Sequence, residues 1–149
     1  MARFRFGWSL ALSFLWAWTV LLTAAPVAGA AEHTVEVQSM GSGNGLVHFG
    51  LYDNPDTFPD TDGRLDGTRM AITNGKAVAV FKELKPGRYA VAVYHDENAN
   101  GAIDQGIFGL PLENYGFSNN ALVFFGPPAF ENAVVNVPAK GLSITIRND

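Results

Sequence analysis

The residues after position 30 predict an all-β fold: an antiparallel β-sandwich of prealbumin-like or immunoglobulin-like type, with about seven strands and long ordered loops. Short apolar runs that alternate with period 2 recur along the chain, and turn residues separate them at the spacing of a sandwich. One run, Arg88–His95, is apolar on both faces, which marks a central strand covered on two sides.

The first thirty residues are set apart from that fold. Arg3 and Arg5 precede the apolar run from Trp8 to Ala24, and Ala28-Gly29-Ala30 follows it, which is the pattern of a secretory signal cut after Ala30 or one residue later. Small residues and Pro26 close the run where a stop-transfer anchor would carry charge, so no stable membrane insertion is expected after cleavage. The expected organisation is a signal peptide over 1–30 and a single β-sandwich domain over 31–149, in a periplasmic or secreted protein.

No cysteine is present, so an exported fold must rest on its core and on any bound metal. Without Arg3 and Arg5, eight basic residues face fourteen acidic ones (8 − 14 = −6). That balance argues against nucleic acid and anionic membranes and favours cations.

The first strand is expected at Thr34–Gln38, and Gly41–Gly45 forms a turn into a second at Leu46–Tyr52. A strand follows those glycines, not a helix, so they do not form a phosphate loop. Asp53–Gly75 reads as a long irregular region with five aspartates, a solvated acidic loop with ordinary turn chemistry in preference to the partial cation loop that Asp60–Asp66 spells, and with a short strand near Met70–Ile72. Ala77–Phe81 is the next strand, and Lys85-Pro86-Gly87-Arg88 predicts a type II turn into Arg88–His95. The pattern Phe81-x-x-Leu84-x-Pro86-Gly87-x-Tyr89-x-Val91 resembles the corresponding hairpin of prealbumin-like and carboxypeptidase-regulatory-like β-sandwich domains, which implies that fold and no activity. Ala121–Phe125 is expected as a strand or a buried apolar segment. Pro128 opens one helical turn through Ala133, and strands at Val134–Val137 and Leu142–Arg147 close the domain.

His95–Asn120 has no clear periodicity yet is too apolar for a solvated linker, so something must order it. Counting from Asp96, oxygen-bearing side chains stand at positions 1, 3, 5 and 9 (Asp96, Asn98, Asn100, Asp104), with Gly101 at position 6. That is the first three quarters of an EF-hand-like calcium loop, in which the Ala102 carbonyl supplies position 7. Position 12 is Ile107 where a bidentate Glu is needed, so the closing carboxylate comes from elsewhere, with Glu113 nearest and an Asp of the acidic loop next. Two Asn ligands lower the site's charge, so affinity is expected on the order of 10⁻⁴ to 10⁻³ M. The competing account is metal-free Asx and Asn-Gly turns built from the same residues.

No nucleophile motif is present, and His95 reads as a structural residue at a strand end. Tyr115 and Phe117 are expected to fold over the sandwich as a satellite core; turned outward beside Phe124 and Phe125, they would form a partner-binding patch. The run Pro86–Asp104, with Gly109–Asn120 and Gly126–Ala133, resembles a family of small exported bacterial proteins known only as a domain of unknown function. The resemblance implies export and a single domain, and it adds no activity. The sequence therefore favours a non-enzymatic envelope module whose calcium loop orders a surface for an envelope protein or glycan. The alternative is a periplasmic hydrolase using Asp96, Glu113 and His95.

Overall fold

The computed structural model describes residues 31–38 and 42–147. The signal sequence expected over 1–30 lies outside the described residues. Among these residues eight strands and one α-helical turn follow in order: β1 (Ala31–Gln38), β2 (Leu46–Tyr52), β3 (Asp66–Ala71), β4 (Ala77–Leu84), β5 (Gly87–Asp96), β6 (Tyr115–Phe117), α1 (Phe130–Ala133), β7 (Val135–Val137) and β8 (Leu142–Arg147). They form a β-sandwich. One sheet has the order β4-β1-β8, and the other has the order β3-β2-β5-β6 with β7 also paired to β5.

Alternation along each strand builds the space between the sheets. Val35 and Val37 of β1, Ala79 and Phe81 of β4, and Ile146 of β8 pack against Val47, Phe49 and Leu51 of β2 and Val91 and Val93 of β5. These side chains are withdrawn from water almost completely. The second sheet is also covered on its other side. There Tyr52, Ala90, Phe117, Phe130 and Ala133 form a smaller cluster with Phe58, Tyr115 and Val123 around it. β5 is accordingly the central, doubly covered strand that its two apolar faces predict, and Tyr115 and Phe117 join the satellite core.

β6 pairs with Ala92–Tyr94 and β7 with Gly87–Tyr89, which leaves a gap along the same edge of β5. Ser118 fills it. Its Oγ accepts from the Val91 N–H at 2.8 Å and donates to the Ala133 carbonyl at 2.5 Å, so both of these backbone groups are satisfied.

Four local expectations are corrected. β1 and β8 run parallel, because β8 arrives by a crossover from the other sheet and no hairpin dictates its direction. The Lys85–Arg88 connection is not a type II hairpin: β4 pairs with β1 and β5 with β2, so it passes between sheets, and the positive φ is at Glu83, not at Gly87. The third strand starts at Asp66 despite its polar, exposed side chains, because backbone pairing with β2 outweighs intrinsic preference. Ala121–Phe125 is neither strand nor buried, and Leu122, Phe124 and Phe125 stand in solvent.

Candidate cation loop and the outer face of β5

Strand alternation sends His95 and Asp96 to opposite sides of the sheet. His95 enters the main core, is wholly buried, and lies 2.7 Å through Nε2 from the Asn44 carbonyl, to which it donates. It is the structural histidine that the sequence predicts. Asp96 emerges on the outer side at the start of the loop and is also wholly buried. Its Oδ1 accepts from the Asn100 N–H at 3.0 Å, and its Oδ2 from the Gly101 N–H at 2.8 Å.

Asp96 has one further partner that the sequence reading missed, His48. The β2–β5 register places Leu46 opposite Asp96 and His48 opposite Tyr94, so His48 lies one diagonal step from the carboxylate. Its Nε2 is 3.0 Å from Asp96 Oδ2, and its Nδ1 is 3.0 Å from the Tyr94 hydroxyl. A carboxylate only accepts, so Nε2 carries the proton and Nδ1 receives the one from Tyr94. The His48 and Tyr94 rings stack with centroids 4.4 Å apart. Spacing in the sequence holds no hint of this chain, since the two strands are joined only by their register.

Electrostatics follow from this packing. Burial pushes the Asp96 carboxyl up, but the Gly101 N–H, the His48 ring and the Asn100 N–H together outweigh it and hold it below its usual value. Burial pushes His48 down more than Asp96 lifts it, so the ring is held neutral. The Tyr94 phenol is pushed up, first by burial and then by Asp96 and Glu113, and stays protonated. A protonated phenol donating to a neutral imidazole is a structural tether; it presents no activated nucleophile.

Further along the loop, the Asn98 amide donates to Asp104 Oδ2 at 2.7 Å and the Asn100 amide to Asp104 Oδ1 at 2.8 Å. The carboxamide oxygens accept in turn: Asn98 Oδ1 from the Asn100 N–H and Asn100 Oδ1 from the Ala102 N–H. Each oxygen keeps a second lone pair. Glu113 reaches back so that its Oε2 accepts from the Asp104 N–H at 3.1 Å. Its other oxygen, Oε1, is buried and has no partner. The structure thus brings Asp96, Asn98, Asn100, Ala102, Asp104 and Glu113 into one loop. Among the described residues no group of three or more His, Asp or Glu is arranged to hold an ion alone, so amide and backbone oxygens would have to complete any such site.

Gly45 sets how closely the turn before β2 sits on this loop. Its φ is +73°, and a Cβ there would lie 2.0 Å from the Asp96 carbonyl oxygen. The acidic loop contributes differently: Thr61–Gly63 makes a single 3-10 turn whose residues are largely exposed. The hydrolase alternative gains no support, because His95 faces away from Asp96 and Glu113 across the sheet.

Comparison with known proteins adds a family and little more. A family model described as "uncharacterized protein conserved in bacteria" (DUF2141) matches residues 35–145. No curated protein matches. Among solved structures, a pilus-presented adhesin, Spy0125 (Cpa), is similar at 14% identity over 83% of this chain and 28% of its own, with a TM-score of 0.25. A likeness that slight bears on neither fold nor function.

Proposed function

This chain belongs to the DUF2141 family of uncharacterised bacterial proteins, and from that premise we propose that it is a non-enzymatic envelope module whose 96–104 loop takes a calcium ion. Export and a periplasmic or secreted location are part of the same reading, supported by the signal-like pattern of residues 1–30. The observation that carries it is Glu113. A carboxylate oxygen buried without a hydrogen bond is costly, and this one belongs to a side chain anchored on Asp104 of the loop. A cation at the loop relieves that cost, and Glu113 then supplies the closing ligand that position 12 lacks. Asp96 would hold the loop's turn through its bonds to the Asn100 and Gly101 N–H groups while offering oxygen to the ion. Calcium suits a set of carboxylate, carboxamide and carbonyl oxygens better than magnesium, which keeps its waters. Ordering the loop fixes the surface above it, where an envelope protein or glycan is the expected partner.

The test is the thermal midpoint in EDTA and in millimolar calcium. Calcium at about ten times its Kd is expected to add about 1.4 kcal/mol, a rise of a few degrees. Asp104→Asn and Glu113→Gln are expected to abolish the rise, while magnesium at equal concentration gives little. A wild-type midpoint that calcium leaves unmoved would end the calcium reading.

A further inference from the structure

A groove of about 580 Å³ runs over the outer face of the second sheet, within the size range of small-ligand sites. Its floor is low because Gly50 and Ala92 have little or no side chain there, and His48, Tyr94, Tyr52 and Phe117 complete it. Its apolar lining comes from the segments around Phe108–Leu110 and Phe124–Phe125, and its polar lining includes Asp60, Thr61 and Arg64.

The apolar wall is built at a cost. Phe108 and Phe125 are essentially fully exposed, and Phe124 and Leu110 are mostly so. Scattered exposed hydrophobes need no explanation, but a contiguous set lining a concavity marks a binding surface. Phe108 is also held at φ 66°, ψ 18°, a left-handed conformation that a bulky residue rarely adopts. Strain of this kind persists where the surrounding structure imposes it and clusters at ligand sites. The aliphatic share of the lining, Ile103, Leu110 and Pro111, exceeds what stacking on a sugar ring would use.

The polar wall supplies the second half of the chemistry. Arg64 has no hydrogen-bond or ion-pair partner among the described residues, although Asp60 stands on the same wall. At the Tyr52 phenol, which burial pushes up, the opposing pull of Arg64 is stronger than the added push of Asp60. The Arg64 guanidinium, without an internal partner, is available to a ligand in the groove.

We propose that this groove binds a small amphipathic anion, its alkyl or aryl body against Phe108, Phe124 and Phe125 and its carboxylate or sulfonate on the Arg64 guanidinium. Such a pairing uses the forked donor geometry of arginine. The groove adjoins the cation loop, since Ile103 of that loop and His48 and Tyr94, which hold Asp96, line it, but none of the candidate calcium ligands does.

The probe is anilinonaphthalene sulfonate, titrated by fluorescence into the purified protein in millimolar calcium and then displaced by decane-1-sulfonate or by 1-decanol. Calcium is included so that a loop left empty does not decide the result. Saturable binding at one site is expected, with the sulfonate displacing the dye at least five times more strongly than the alcohol. Arg64→Gln is expected to remove that preference and leave decanol within twofold. Phe108→Ser and Phe125→Ser are expected to weaken both by five-fold or more with unchanged thermal midpoints. The absence of saturable binding, an Arg64→Gln variant that keeps the preference, or loss of the dye signal through self-association would each overturn the proposal. None of these outcomes depends on whether calcium shifts the midpoint, so the two readings fail separately.

Discussion

The two faces of β5 do opposite work. On one side Val91 and Val93 meet Phe49, Phe81 and Val35 in a dry core between sheets. On the other, Ala90, Ala92, Tyr94 and Asp96 meet a thinner layer of aromatic rings, a hydrogen-bonded Asp–His–Tyr chain and an open groove. The first face is filled by large aliphatic side chains interlocking from both sheets. The second is kept small at Gly50, Ala90 and Ala92, so irregular segments can lie across it without filling it. Stability concentrates where strands bury strands, and binding chemistry where loops cover a strand incompletely.

Two phenylalanines test that contrast at its extremes. Phe49→Ala empties part of the inner core and is expected to cost about 3–5 kcal/mol, read from urea unfolding. A cost below about 1 kcal/mol would mean that the inner face is not what holds the domain together.

The histidines give a smaller effect. Burial holds the folded-state values of His33 and His48 below the ordinary 6.5, against the lifting effect of Leu142 on the first and Asp96 on the second. The unfolded chain therefore takes up protons first as pH falls. Stability contributed by keeping these rings neutral is present above about pH 6.5 and is lost as pH drops below it towards their folded values. Asp96 acts in the same sense at lower pH: its contribution is present above about 3.8 and is lost as pH falls through its depressed folded value. Urea midpoints in EDTA are expected to fall from pH 7 to pH 5, and His48→Gln is expected to flatten part of that slope. Equal slopes in both proteins would assign the dependence to His33 alone.

Phe125→Ser is expected to leave stability within about 0.5 kcal/mol of the parent, because its ring touches solvent and not the core. A loss above 1 kcal/mol would show that the outer face is packed and the groove closed.

Much of this molecule was legible in its residues. Leu46–Tyr52 and Leu142–Arg147 are strands at their predicted bounds, because clean alternation over six or seven residues has one way to bury its apolar side. The turn at Phe130–Ala133 follows Pro128 as expected, and β5 is central because both its faces are apolar. The loop was legible for a different reason. Asp96, Asn98, Asn100 and Asp104 lie within nine positions, so local spacing specifies which of these side chains can meet.

Elsewhere local preference was a poor guide. Ala121–Phe125 is as apolar as a strand, yet three of its large side chains face water, because the edge of β5 it would need is already taken by β6, Ser118 and β7. β3 is polar and still a strand because β2 offers it an unpaired edge.

The sequence by itself determined the fold class, the central strand, the loop's candidate ligands and the inward side of each alternating strand, since these depend on spacing along one stretch of chain. Only the tertiary structure decided that β1 and β8 run parallel and that β4 and β5 belong to different sheets. It also decided that His48 meets Asp96, and that Arg64 and Phe125 line one groove. Each of these depends on which distant segments share hydrogen bonds or a surface, and register between separate strands is settled by the packing of the whole domain, not by any window of residues within it.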